Sequence, residues 1–318
     1  MSTLAVENLH VKFGSVETVS GVSFSVRSGE VLGVVGESGS GKSVTISAVL
    51  GLVQLKHGRI SAGRVLFDGI DLAQLREAEL RRYRGRRIAL VTQNPMTALS
   101  PVHPVGDQIA ECAVFHLGLT SAAAKRRTLE LMSAMQIPDA ARVYSSYPFH
   151  LSGGLRQRIV IAMALAADPE FIFADEPTTA LDVTVQAEIL TLLHHMTRER
   201  NIGLLLITHD ISVVAQICDR ICVMYAGRAV EQGPVEEVLL RPRHPYTKAL
   251  IRCIPRDNLA RGTLPTIPGM IPSAGQYGSG CRFRQRCESA TEACATVPVS
   301  MVTSAGVEIA CHNPIGAP

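Results

Sequence analysis

The sequence predicts an α/β fold: a parallel-sheet core carrying a phosphate-binding loop, with an inserted helical subdomain and a small Cys-rich C-terminal module. Three observations predict it. Gly36-Glu37-Ser38-Gly39-Ser40-Gly41-Lys42-Ser43 fits G-x-x-x-x-G-K-[ST] and follows an apolar run, residues 31–35, that reads as a strand. Between residues 171 and 217, short apolar runs alternate with helical patterns, as in βα units of a parallel sheet. Residues 105–135 carry helical periodicity without strand signals.

The elements follow in order. Residues 5–11, 22–26 and 31–35 read as short strands separated by Gly and Ser turns, and residues 42–50 continue the phosphate loop as a helix. Residues 65–67 with Asp68-Gly69 read as a strand and its turn, residues 73–83 as a charged helix, and residues 88–92 as a strand. A helix at residues 154–166 starts at Leu151-Ser152-Gly153-Gly154-Leu155-Arg156-Gln157. Then come strand 171–175, helix 183–200, strand 204–208 and helix 211–217. Residues 221–225 and 229–232 close the core around the hairpin turn Ala226-Gly227-Arg228. Beyond about residue 241 prolines and glycines replace long periodic elements, and residues 255–280 read as a linker or extended arm. The expected domains are residues 1–254, with the helical subdomain at about 94–168, and residues 255–318. No internal repeat is present, so the chain holds one such unit.

Bulk properties narrow the class. The chain has 318 residues, 47% hydrophobic and 19% charged, which suits a folded protein with a substantial core. A net charge of +3 is too small to argue for nucleic acid or an anionic membrane. The basic stretch at residues 81–87 reads as a solvated helix end and turn. No apolar run is long enough to span a bilayer, and residues 1–7 lack the features of a signal peptide, so a cytosolic chain is expected. Its eight cysteines are not expected to pair as disulfides.

The phosphate loop implies specific chemistry. Gly36, Gly39 and Gly41, with Ser38 and Ser40, let the backbone bring N–H groups against phosphates, and the following helix adds its N-terminal dipole. Lys42 is the expected contact to the β- and γ-phosphates, and the Ser43 hydroxyl the expected Mg²⁺ ligand. The bland alternative is a Gly/Ser-rich turn. Asp175 ends the apolar run 171–174, where a carboxylate would hold Mg²⁺, and Glu176 beside it could deprotonate the attacking water. Two adjacent acids at a core strand's end are costly unless they have a task. His209 follows the apolar strand 204–208 at the edge where parallel sheets bind ligands. Gln93 holds the corresponding place after residues 88–92.

Together these segments resemble the ATP-binding subunits of ABC importers, specifically the peptide/nickel/opine group. The resemblance rests on the loop at residues 36–43, Gln93, the Leu151-Ser152-Gly153-Gly154 signature, Asp175-Glu176-Pro177, Ala180-Leu181-Asp182 and His209. Pro242-Arg243-His244-Pro245-Tyr246-Thr247 and the Cys-rich tail carry the subgroup. It implies an ATPase with an antiparallel β subdomain beside the core. Two ATPase subunits, identical or different, would sandwich ATP. Ser152, Gly153, Gly154, Gln157 and Asp182 would then serve the partner's nucleotide, while Glu176, His209 and Gln93 act at the subunit's own. Gln93 would join Ser43 and Asp175 at Mg²⁺. Phe13 matches the residue that stacks on adenine, although a plain core role is the alternative. Two transmembrane permease subunits, reached through residues 94–108, and an extracytoplasmic solute-binding protein would complete the importer. This chain would lie on the cytoplasmic face of the cell (inner) membrane as a peripheral subunit. Di- or oligopeptides are the expected solutes, with nickel, opines or another small solute as alternatives. A soluble non-transport ABC ATPase is disfavoured by the lack of a second ATPase unit or a long coiled coil.

Cys281, Cys287, Cys294 and Cys311 form a C-x5-C-x6-C-x16-C array. The resemblance implies a [4Fe–4S] cluster on these four thiolates; Zn²⁺ and free thiols are the alternatives on chemistry alone.

Overall fold

A computed structural model describes residues 1–179, 181–254 and 265–316. Its strands are β1 (Thr3–Phe13), β2 (Val16–Arg27), β3 (Val31–Val35), β4 (Gly58–Phe67), β5 (Ile70–Asp71), β6 (Ile88–Val91), β7 (Phe171–Asp175), β8 (Gly203–Thr208), β9 (Arg220–Tyr225), β10 (Arg228–Pro234), β11 (Met301–Val302) and β12 (Glu308–Ile309). The chain divides into two compact units: residues 1–2, 27–31 and 74–207, and residues 3–26, 32–73 and 208–318.

In the first unit β6, β7 and β8 pair in parallel, Ala174 standing beside Val91 and Leu206. Every residue of β8 and the first four of β7 are buried, as continuous apolar runs in a sheet covered on both faces should be. The helical stretch resolves into Val105–Leu117 and Ser121–Ala134, divided at Gly118, followed by Ala140–Tyr144 and Gly153–Leu165. A Cβ at Gly106 would meet the Tyr144 ring at 2.2 Å, so glycine is what lets these two helices approach. Arg158, on Gly153–Leu165, donates to Met135 O at 2.8 Å and to Glu188 at 2.8 Å, tying the signature helix to two neighbours.

The charged helix expected at residues 73–83 is a correction. Only Glu77–Leu80 is helical, after a 3-10 turn at Leu72–Gln74. Beyond Leu80 the backbone bonds become those of turns: Tyr83 N–H donates to Leu80 O at 3.0 Å, and Gly85 N–H donates to Ile88 O at 2.8 Å. The chain instead turns at Gly85, and Glu77 pairs with both Arg81 and Arg84.

In the second unit β1 runs antiparallel to β4, and the order β2-β1-β4-β5 forms the antiparallel subdomain. β3 pairs in parallel with β9, which continues antiparallel through β10 to β12 and β11. Val35, Tyr225, Tyr246, Phe283, Val307 and Ile309 share one core, so C-terminal residues pack with the strand that feeds the phosphate loop. Of the expected linker, residues 255–264 lie outside the described residues. Ahead of it stands a helix that the proline content concealed, Pro245–Arg252, with Pro245 in its first turn. No helix among the described residues is long and apolar enough to cross a membrane.

His244 caps that helix: its Nδ1 accepts from Tyr246 N–H at 3.0 Å, and burial pulls the imidazole down to about 3. The unfolded chain, with an ordinary histidine, takes up a proton below about pH 6.5 that the native chain refuses. Stability is therefore fully present above that pH and falls with acid, by up to ~1.4 kcal/mol per pH unit. His244→Asn keeps an oxygen to cap Tyr246 N–H but cannot titrate. Its melting temperature should decline less than that of wild type between about pH 7 and pH 5; parallel declines would refute the assignment.

Candidate nucleotide site

The functional residues fall on both units, each taken by itself. In the second, β3 is buried throughout and ends at Gly36, whose φ of 155° places a hypothetical Cβ 2.2 Å from Met224 O. Only glycine lets the chain pass there. Gly41, at φ 97°, starts helix Lys42–Val49 without a side-chain cap, so the helix N-terminus with its positive dipole end follows the loop directly. Lys42 is 5% exposed. Its Nζ donates to Gly36 O at 2.7 Å and to Glu37 O at 3.0 Å, so the ammonium lies folded into the loop. Ser40 is fully buried and its carbonyl accepts from Gly227 N–H at 2.8 Å, whereas Ser38, Gly39 and Ser43 are exposed. Phe13 is half-buried opposite Gly58, where a Cβ would come within 2.7 Å of its ring. His209 is exposed directly after β8, and the next residue, Asp210, caps helix Ile211–Ile217 through Ser212 N–H at 2.8 Å.

In the first unit Asp175 ends β7 opposite Ile207. Glu176 follows with φ 47°, an unusual conformation for a non-glycine residue, and its N–H donates to Ile207 O at 3.0 Å. Its Oε2 accepts from Gln93 Nε2 at 3.0 Å and from Thr179 Oγ1 at 3.0 Å. The carboxylate is thus aimed by two donors, at a backbone position held under strain. The structure brings Gln93 and Glu176 together across 83 residues of sequence. Thr179 was given no role by the sequence reading, although it lies three residues beyond Glu176, where a turn returns the chain.

Ser152 Oγ accepts from Leu155 N–H at 3.3 Å and so caps the signature helix. Ser152 and Gly153 are exposed, and a Cβ on Gly154 would meet Val185 Cγ1 at 2.7 Å. Gln157 is 1% exposed, and among the described residues its Nε2 has no hydrogen-bond partner. Asp182 is exposed and caps helix Val183–Arg200 through Val185 N–H at 3.0 Å. Ala180 lies outside the described residues.

Of the tail cysteines, Cys294 and Cys311 are buried and Cys281 and Cys287 half-buried. Burial, with neighbouring thiols adding to it, pushes Cys287 up and Cys311 up to about 11. An all-thiol donor set whose members feel one another suits a soft metal centre. Against the expected cluster, no three His, Cys, Asp or Glu side chains among the described residues are placed to hold a metal ion.

Comparison with known proteins extends these observations. The ABC transporter family model matches residues 19–179, and that of the oligopeptide/dipeptide transporter C-terminal region matches residues 230–294. The probable D,D-dipeptide transport ATP-binding protein DdpD of Escherichia coli (strain K12) is 44% identical over 299 residues, 93% of this chain and 91% of that protein. The oligopeptide transport ATP-binding protein OppD of Salmonella typhimurium is 43% identical over 316 residues, 98% of this chain and 94% of that one. Among solved structures, a dimeric ATP-binding cassette in a post-hydrolysis state with ADP and Pi superimposes with a TM-score of 0.65 at 28% identity. That match covers 73% of this chain and 98% of the other. Matched through its core by one family and through its tail by the other, the chain belongs to the ABC transporter ATPases, in the group marked by the oligopeptide/dipeptide transporter C-terminal region.

Proposed function

We propose that this chain is the ATP-hydrolysing subunit that energises uptake of di- or oligopeptides. The observation that carries the catalytic part is the Glu176 carboxylate, aimed by Gln93 and Thr179 directly after the strand-end Asp175. The solute class is supported by the relatives' transport of dipeptides and oligopeptides and by the matching C-terminal region.

In this reading, N–H groups of Gly36, Ser38, Gly39, Ser40 and Gly41 and of the helix start receive the phosphates. Lys42 leaves the loop carbonyls for the β- and γ-phosphates, and Phe13 stacks on adenine. Glu176 takes a proton from water as its oxygen attacks the γ-phosphorus. The bond from that phosphorus to the bridging oxygen then breaks, and ADP departs. His209 contacts the γ-phosphate. The Ser43 hydroxyl, the Asp175 carboxylate and the Gln93 amide oxygen are hard donors suited to Mg²⁺, which would neutralise phosphate charge. Gln93 turns its amide nitrogen to Glu176, which leaves Oε1 for that task.

Exposed Ser152, Gly153 and Asp182, with Gly154 and Gln157 behind them, would complete the site of a second ATPase subunit; the fold is similar to that of a cassette whose structure is dimeric. Two permease subunits, a solute-binding protein and a peripheral place on the cytoplasmic face of the membrane complete the proposed importer. The four tail thiols are proposed to hold a [4Fe–4S] cluster, with Zn²⁺ as the alternative. Iron, sulfide and zinc analysis of the purified chain discriminates the two.

Uptake of a labelled dipeptide in a deletion strain tests the function. Wild type should restore uptake and Glu176→Gln should not. Equal uptake in the deletion and complemented strains would count against peptide as the solute and direct the assay to nickel and opines.

A further inference from the structure

Glu37, inside the phosphate loop, is held by residues from the far end of the sequence. Its N–H donates to the Tyr246 hydroxyl at 3.0 Å. Its two carboxylate oxygens accept from one terminal nitrogen of Arg286 at 3.0 and 3.1 Å. The Arg286 side chain is 6% exposed. It also donates to Tyr225 Oη at 3.2 Å, Pro268 O at 2.8 Å and Ile267 O at 3.1 Å. Arg286 stands next to Cys287 at the end of the short turn Arg284–Arg286. The rings of Tyr225, Tyr246 and Phe283 pack against one another with centroids 4.6 to 5.3 Å apart, a rigid wall beside the guanidinium.

A second connection runs in parallel. Arg282 donates to Ala226 O and, at 2.7 Å, to Ser20 Oγ. The next residue, Gly227, donates its N–H to Ser40 O at 2.8 Å. The Cys281–Cys287 segment therefore reaches the phosphate loop at residue 37 directly and at residue 40 through one intervening turn.

The carbonyls of Gly36 and Glu37 are those that hold Lys42, so the orientation of residue 37 governs where the ammonium and the loop N–H groups point. A buried guanidinium whose one carboxylate partner lies in that loop is a poor way to add stability alone, because losing either partner strands a charge. It is a good way to fix a direction, since Pro268 O and Ile267 O hold Nε and Nη2 and thereby fix the plane that aims Nη1 at Glu37. We propose that Arg286 is a positioning residue for the phosphate loop, through which the Cys281–Cys287 segment sets how tightly the loop takes nucleotide. This rests on the nucleotide reading of the loop.

The test uses the full-length chain and a fluorescent trinitrophenyl-ATP with Mg²⁺, with melting curves of the nucleotide-free proteins alongside. Binding by wild type that Lys42→Ala removes first establishes the loop as the nucleotide site; without that difference the nucleotide reading itself falls. Arg286→Gln and Glu37→Gln should then each weaken binding by about five- to tenfold. The double variant should be no weaker than the poorer single one, because the two side chains act as a unit. Arg286→Lys, which keeps the charge without the fork, should recover part of the loss. A mere staple for the tail would lower melting temperature and leave affinity unchanged. Wild-type affinity in folded Arg286→Gln, or losses that simply add in the double variant, would overturn the proposal. Should Arg286→Gln not fold, Glu37→Ala decides alone, since that side chain is 28% exposed and its removal takes away both acceptor oxygens; unchanged affinity there overturns the proposal as well.

Discussion

Glu176→Gln should lower ATP turnover by about a hundredfold to ten-thousandfold, the range lost with a general base, while ATP still binds. The substitution is nearly isosteric. A glutamine oxygen at this position can still accept from Gln93 Nε2 and Thr179 Oγ1, so the strained turn at residue 176 keeps its anchors. What disappears is the capacity to take a proton from water. An interaction needed only during the chemical step has been removed, which predicts a fall in kcat with little change in nucleotide affinity. The variant should accumulate with ATP bound. If the closed sandwich forms as proposed, it should elute as a dimer with MgATP and as a monomer without it. Single-turnover hydrolysis by the assembled complex is the deciding measurement, and wild-type turnover would remove Glu176 from the role of base.

Much of this site was legible in the sequence because its parts are local. The phosphate loop is eight consecutive residues whose glycines are required by backbone geometry, and Asp175-Glu176 interrupts an apolar run at its end. The strands were placed by buried runs such as residues 204–208, where composition alone reports a covered sheet. What stayed hidden depends on distant pairing or on the meaning of one residue in context. Nothing near Glu37 announces that Arg286, 249 positions away, will meet it. Pro245 reads as a breaker, yet at the first turn of a helix a fixed φ and a missing N–H cost nothing. The expected helix at residues 73–83 failed for the opposite reason: helical composition was outweighed by the turns that follow Leu80 and by the positive φ of Gly85. Gln157, expected to serve the partner's nucleotide, is buried, because position within a motif does not report which way a side chain faces.

Lys42→Ala should act on binding where Glu176→Gln acts on chemistry. In the nucleotide-free chain the ammonium is the donor that the carbonyls of Gly36 and Glu37 share at 2.7 and 3.0 Å. Truncation takes that donor from Gly36 O, while Glu37 O keeps Ser40 N–H at 3.1 Å, and costs about 1–3 kcal/mol in loop order before any nucleotide arrives. It also deletes the one cation of the loop itself, and the loss of a buried charge from a polyphosphate site is worth about 2–5 kcal/mol. The two effects point the same way, so affinity for MgATP should fall by at least about thirtyfold, with a modest decrease in melting temperature. Lys42→Met separates the ammonium from the stem, because it preserves the packing of the stem while removing both the charge and the donor. If Lys42→Met binds MgATP as poorly as Lys42→Ala but melts closer to wild type, the affinity loss belongs to the ammonium and not to a collapsed loop. If both variants bind and hydrolyse MgATP like wild type in the assembled complex, Lys42 is only a structural strut. The phosphates would then have to be held by backbone N–H groups alone.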